Sequence, residues 1–171
     1  MESRDIAVSL AVLGITLLAV AALLLNSSLL YTITDPDPRN YETATVTLSD
    51  ANGTDLATVT VRIADTDRKR YVGLSETAGL DPGEGMLFVH DGERRQAYVM
   101  RNMSFAIDIV FVAANGTVTT VHTAPVPPDG VSGGDLTRYR GRAKYVLEVP
   151  RGYANATGLD DGDTVHVPSL V

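Results

Sequence analysis

Two carboxylates stand inside apolar runs, where a charge is costly. Asp108 lies within Ile107-Asp108-Ile109-Val110-Phe111-Val112, and Glu148 lies between Leu147 and Val149. A buried carboxylate persists when it is paired, hydrogen-bonded or at the rim of the core. Ahead of Asp108 the chain reads Met100-Arg101-Asn102, and Arg70 ends a basic stretch, Arg68-Lys69-Arg70. Arginine grips a carboxylate or phosphate through two parallel N–H bonds. Arg70, Met100, Arg101, Asn102, Asp108 and Glu148 are therefore the candidate set for holding a small polar or anionic ligand. The plainer reading of Asp108 is a salt bridge to Arg70 or Arg101 that fixes strand register and binds nothing. The plainer reading of Glu148 is solvation on an edge strand.

Other chemistries find less in the chain. A glycosidase needs two carboxylates about 5 Å or 6.5 to 9.5 Å apart, which makes a carboxylate-based hydrolase of sugars or envelope material the alternative to binding. Met86, Met100 and Met103 with His90 have the softness for copper, but methionine in a β core is more often packing. His90, His122 and His166 are isolated, with no His-x-His or His-x-x-x-His spacing. There is no Gly-x-Ser-x-Gly, no Walker-type loop and no cysteine. The expectation is no catalytic residue, no metal and no cofactor. The absence of cysteine also excludes a disulfide framework and a lipoprotein anchor.

The elements that must position these groups begin after a long apolar segment. Ile6 to Leu25 is free of charge, and a helix of that length spans the roughly 30 Å hydrocarbon core. Arg4 and the amino terminus precede it, and no Lys or Arg follows until Arg39. The basic-residue rule keeps residues 1–5 in the cytoplasm and the remainder outside, as a single-pass signal anchor in the cell membrane. Cleavage after Ala19-Val20-Ala21, giving a secreted protein, is the rival reading. Residues 26–41, with Asp35-Pro36-Asp37-Pro38, form a stiff juxtamembrane linker. Residues 42–171 are left for one extracytoplasmic domain of about 130 residues.

The charge is -7, from 15 Asp and 6 Glu against 12 Arg and 2 Lys. Short acids with almost no lysine keep a surface hydrated when salt screens other interactions, which points to a salt-adapted, halophilic setting. No basic stripe is present to neutralise phosphates, so a nucleic-acid partner is not expected.

From Glu42 the apolar period is two. Ala44, Val46 and Leu48, then Val59, Val61 and Ile63, alternate with polar residues across Asn52-Gly53, which reads as a hairpin. Asp65 or Thr66 caps a short helix with Tyr71, Val72 and Leu74 turned inward. Met86 to His90 is a strand, Asp91-Gly92 turns the chain, and Gln96 to Arg101 pairs back. Asp108 to Val112 and Val118 to His122 form a second hairpin across Asn115-Gly116. Lys144 to Val149 and Thr164 to Val167 are strands, with a helical turn between them in 151–157. About eight short strands predict a mainly β sandwich or barrel with one or two short helices. Asn52, Asn115 and Asn155 open Asn-x-Thr sequons in predicted turns, where glycans would fit on an exported domain; Asn102 opens another, but a strand setting would bury it.

Four stretches in order resemble an uncharacterised family, domain of unknown function 192. They are Arg70-Tyr71-Val72-Gly73-Leu74, like its Arg-x-x-Gly-Leu; Gly85-Met86-Leu87-Phe88-Val89, like its Gly-Met-Leu-Phe; Tyr98-Val99-Met100-Arg101-Asn102-Met103 with Ile107-Asp108-Ile109-Val110-Phe111, like its aromatic, Trp-Met-Lys-Asn and Leu-Asp-Ile-x-Phe; and Val146-Leu147-Glu148-Val149-Pro150-x-Gly152-x-Ala154, followed by Gly162-Asp163. Val99 stands at the usual Trp, and Ser75 and Thr77 at the usual Met and Arg. The resemblance implies a compact β-rich domain, often exported or anchored, and no particular activity. The function expected is a small-ligand binding or interaction module at the cell envelope, with the hydrolase or a purely structural envelope protein as alternatives.

Overall fold

The computed structural model describes residues 37 and 39–168 of the 171. The chain divides into two units, Met1–Asp37 and Pro38–Val171, and all the elements below belong to the second. The Ile6–Leu25 span lies outside the described residues. Among the described residues no helix is long and apolar enough to cross a membrane.

The alternating segment folds as expected, into β1 (Thr43–Ser49) and β2 (Asp55–Ala64), paired antiparallel from Thr43↔Arg62 to Leu48↔Ala57. At their turn the Asp50 carboxylate accepts the amides of Asn52 and Thr54 at 2.9 and 2.8 Å. The next strand, β3 (Glu84–Tyr98), lies parallel to β2. A parallel neighbour requires a crossover, supplied by the segment holding α1 (Asp67–Val72). Then come β4 (Ile107–Val112), β5 (Val118–Ala124), β6 (Tyr139–Pro150), α2 (Tyr153–Thr157) and β7 (Thr164–His166).

The seven strands of the described residues form one sheet, in the order β5-β4-β6-β3-β2-β1-β7. The sheet curls into a half-barrel. Its two edges meet at one end, where Thr117 bridges Thr164, Val118 N donates to Asp163 O at 2.7 Å and Val165 N donates to Gly116 O at 2.8 Å. One core, including Leu48, Val61, Leu87, Val110, Val118, Leu147 and Val165, draws on every strand. A second lies on the other face, built from Met86, Phe88, Ile107, Ile109, Phe111 and Val146 and covered by Leu74 and Met100.

Among the described residues the fold is thus mainly β with two short helices. Of the two forms expected it is the barrel-like one, a single curled sheet rather than a sandwich, with seven strands where about eight were expected. The difference lies at Asp91-Gly92. These residues do not reverse the chain. They sit in a bulge between Val89↔Tyr145 and Arg94↔Ala143, and β3 runs 15 residues through it while staying paired to β6. Bulges bend a strand and increase its twist. Beyond this one the β3–β6 ribbon folds over the second core, so the Tyr98 ring packs edge-on against both Phe88 and Phe111, with centroids at 5.1 and 5.9 Å. Gly141, opposite Gln96, permits this closure: a Cβ there would stand 2.3 Å from Phe111 Cγ.

Candidate functional site

The bend encloses a cleft of about 400 Å³ between α1, the far half of β3, the segment 99–103 and the face of β6 that carries Glu148. One wall is built by local sequence. Thr66 caps α1, its hydroxyl accepting the amide of Lys69 at 3.2 Å. Arg70, its side chain only 15% exposed, pins the helix down. Its Nη1 donates to the carbonyls of Asp65 and Val89 at 2.7 and 2.6 Å, and its Nη2 to Asp67 Oδ1 at 2.5 Å. Gly73 ends the helix at φ 50°, where its missing Cβ would meet the Phe88 ring at 3.2 Å, and Leu74 enters the second core. The Arg-x-x-Gly-Leu pattern is therefore pin, close contact and plug. Tyr71 was expected inward but is 70% exposed: the six-residue helix buries none of its own residues, and the chain turns inward only beyond its end, at Leu74. Arg101 stacks on it, guanidinium carbon 4.0 Å from the ring centroid, and donates from Nη2 to the Tyr71 carbonyl.

The interior combines apolar walls with unusual polar groups. His90 Nε2 lies 3.0 Å from the Tyr98 hydroxyl. Burial, assisted by the charges of Arg70 and Arg94, lowers the His90 pKa to about 4, so the ring is neutral at physiological pH. Burial raises the Tyr98 phenol, and the nearby Glu148 charge raises it further. Glu148 pairs in the ladder with Met86 on one side and Ile109 on the other, and is 6% exposed. Among the described residues no hydrogen bond reaches its carboxyl, and burial pushes its pKa up to about 8, so it carries a proton at neutral pH. Gln96, 8% exposed, has a buried Nε2 with no partner. Such an orphaned donor is uncommon in a folded protein.

Of the residues singled out from sequence, Arg70, Met100, Arg101 and Glu148 line this cleft. Asp108 and Asn102 do not. Asp108 is 1% exposed and points to the opposite face, where Thr123 Oγ1 donates to its Oδ1 at 2.9 Å and Ala154 N to its Oδ2 at 3.1 Å. Its partners are a hydroxyl and an amide in the first turn of α2, not the arginines. Asp108 and Glu148 therefore cannot flank one substrate. Asn102, expected buried in a strand, is exposed in a turn at φ 54°, a left-handed conformation that asparagine tolerates; β3 has already ended at Tyr98. Met86 and Met100 are packed in the second core, and among the described residues no group of three His, Asp or Glu side chains gathers to hold a metal. Asn52 and Asn115 are exposed in turns, and Asn155 is exposed on α2.

His90, Gln96, Tyr98 and Arg94 were not in the candidate set, yet they line the cleft. Gln96 and Tyr98 share one face of β3 through their i, i+2 spacing. That spacing is visible in the sequence, but Asp91-Gly92 resembles a reversal, which would separate Gln96 and Tyr98 from the strand that carries His90.

With fold and cleft defined, comparison with known proteins places the chain. The profile of DUF192, a family described as uncharacterized ACR, matches residues 47–167, and the chain belongs to that family. A crystal structure from Sinorhizobium meliloti 1021, named a candidate transcription regulator, is similar at 29% identity and a TM-score of 0.65, covering 74% of this chain and 94% of that one. A protein of unknown function from Novosphingobium aromaticivorans DSM 12444 is similar at 26% identity and a TM-score of 0.64, covering 75% and 88%. Comparison with curated proteins gives no match.

Proposed function

We propose that this domain is a binding module whose cleft holds a small organic anion. The observation that carries the reading is the Gln96 amide, whose buried Nε2 has no partner among the described residues, beside a Glu148 carboxyl that receives no hydrogen bond from them and faces a cleft that Arg70, Arg94 and Arg101 also line. An unsatisfied buried amide costs stability unless something else satisfies it, and burial disfavours the charged form of Glu148. The charges around them favour an anion: Asp67 is joined to Arg70 and Glu148 is protonated, which leaves the positive side in excess. The volume falls within the range of small-molecule sites.

The N-terminal run Ile6–Leu25 supports an anchored domain facing outward, and the acid-rich, lysine-poor composition supports a salt-adapted setting. Protease added to intact cells should then remove the domain; protection until lysis would reverse the orientation. For the cleft, a thermal-shift screen of small carboxylates and phosphates at high salt should find an anion that raises Tm. The response should vanish in an Arg94→Gln, Arg101→Gln double variant and persist in Asp108→Ala. An equal shift in the double variant, or no shift across the panel, rejects the proposal.

A further inference from the structure

We infer that the cleft takes a hydroxylated carboxylic acid, its carboxylate at Arg94 and Arg101 and its hydroxyls against Glu148 and Gln96. This inference rests on the anion-binding reading and narrows it by what the buried end of the cleft demands.

Gln96 Nε2 is a donor without an acceptor. Glu148 is a carboxyl with no hydrogen bond among the described residues; protonated, it has one hydrogen to give and oxygens that accept. A hydroxyl is the small group that answers both, since it donates one hydrogen and accepts through two lone pairs. It can take the Gln96 N–H at its oxygen and exchange a hydrogen bond with Glu148. Tyr98, in contact with His90 through its hydroxyl and close enough to Glu148 to feel its charge, adds a further polar atom on the same side.

Competing classes fit less well. A plain aliphatic acid would satisfy the arginines, leave the Gln96 Nε2 orphaned and offer the Glu148 carboxyl no hydrogen bond. A neutral sugar would do the reverse. An amine would enter a cleft whose unneutralised charges are arginines and whose buried carboxyl is uncharged at neutral pH. The apolar lining from Phe88, Met100 and Ile107 suits the carbon chain between the two ends.

Isothermal titration calorimetry on the full-length chain in detergent, with gluconate, hexanoate and glucose, tests the assignment. Gluconate should bind at least tenfold more tightly than hexanoate, and glucose should give no measurable heat. Gln96→Leu should bring gluconate to within threefold of hexanoate, leave hexanoate unchanged and raise Tm, because it removes the orphaned amide. If hexanoate matches gluconate in the wild type, the hydroxyl assignment falls and the anion reading stands. If glucose binds as well as gluconate, or if gluconate, glucuronate, malate, lactate and hexanoate all fail to bind, both fall. A lower Tm for Gln96→Leu would mean that the fold itself satisfies the amide, and would overturn the hydroxyl assignment independently.

Discussion

Asp108 and Glu148 occupy adjacent rungs of the β4–β6 ladder, Asp108 opposite Val149 and Glu148 opposite Ile109, and they point to opposite faces of the sheet. Asp108 shares its face with Val110 and Val112, Glu148 with Val146 and Met86. One carboxylate is fully engaged by the fold and the other is left without a partner. The two acids that look alike in sequence therefore have different physical roles.

Asp108 ties three elements together, since Thr123 belongs to β5 and Ala154 to α2. Asp108→Ala would leave a buried amide and a part-buried hydroxyl without acceptors. The expected loss is on the order of 2–4 kcal/mol, read from the urea midpoint at unchanged m-value. The ligand response of the cleft should survive. A loss of binding with undiminished stability would assign Asp108 to the site after all.

For Glu148 the expectation is a pH-dependent stabilisation on substitution. Its folded pKa, about 8, lies above the unfolded value near 4.5. Below pH 4.5 both states are protonated and the carboxyl costs nothing through ionisation. Between 4.5 and 8 the unfolded chain releases the proton and the folded chain keeps it, so wild-type stability falls as pH rises, by about 1.4 kcal/mol per unit from this group. Glu148→Gln removes that slope. Chemical denaturation at pH 5 and pH 8 should show the variant gaining several kcal/mol on the wild type over that interval, with other groups cancelling in the difference. A pH-independent difference would mean that Glu148 is ionised in the native state.

Much of this was legible in the sequence. Both Asn-Gly hairpins, the Thr66-capped helix and the four family-like stretches follow from local patterns, and local hydrogen bonds make those elements. The bulge was not legible. Whether Asp91-Gly92 reverses the chain depends on β6, where Ala143 receives Arg94 about fifty residues later. The cleft inherits that difficulty, because Gln96, Tyr98 and His90 converge only once β3 bends over its own beginning. Glu148 was singled out because a carboxylate in an apolar strand is conspicuous anywhere. Its lack of a partner could come only from knowing which strands flank it.

The bend can be tested at Gly141. Adding a methyl there places carbon 2.3 Å from Phe111 Cγ and 2.6 Å from its Cβ, at a ring that is fully buried. Phe111 also packs edge-on against His122, so it has little room to retreat. Gly141→Ala should cost about 1–3 kcal/mol or more, as overpacking does, and should perturb the near-ultraviolet circular dichroism of the Tyr98–Phe111 cluster. A neutral substitution would show that the ribbon does not lie closed on the second core.

Arg70 gives the sharpest separation of charge from geometry. Arg70→Lys keeps the positive charge beside the cleft but replaces a planar fork with a single ammonium, which cannot reach the carbonyls of Asp65 and Val89 and the Asp67 carboxylate together. The bond to Asp67 matters least, since that carboxylate is fully exposed. The carbonyl of Val89 matters most, because it is the contact that holds α1 on β3. Hydrogen exchange in residues 67–73 should therefore accelerate by tenfold or more while exchange in β4 and β6 stays at the wild-type rate. Ligand affinity should fall with it, since Gly73 and Leu74 form part of the cleft wall. If Arg70→Lys leaves exchange in α1 unchanged and still abolishes binding, Arg70 contacts the ligand directly and its role as a pin is secondary.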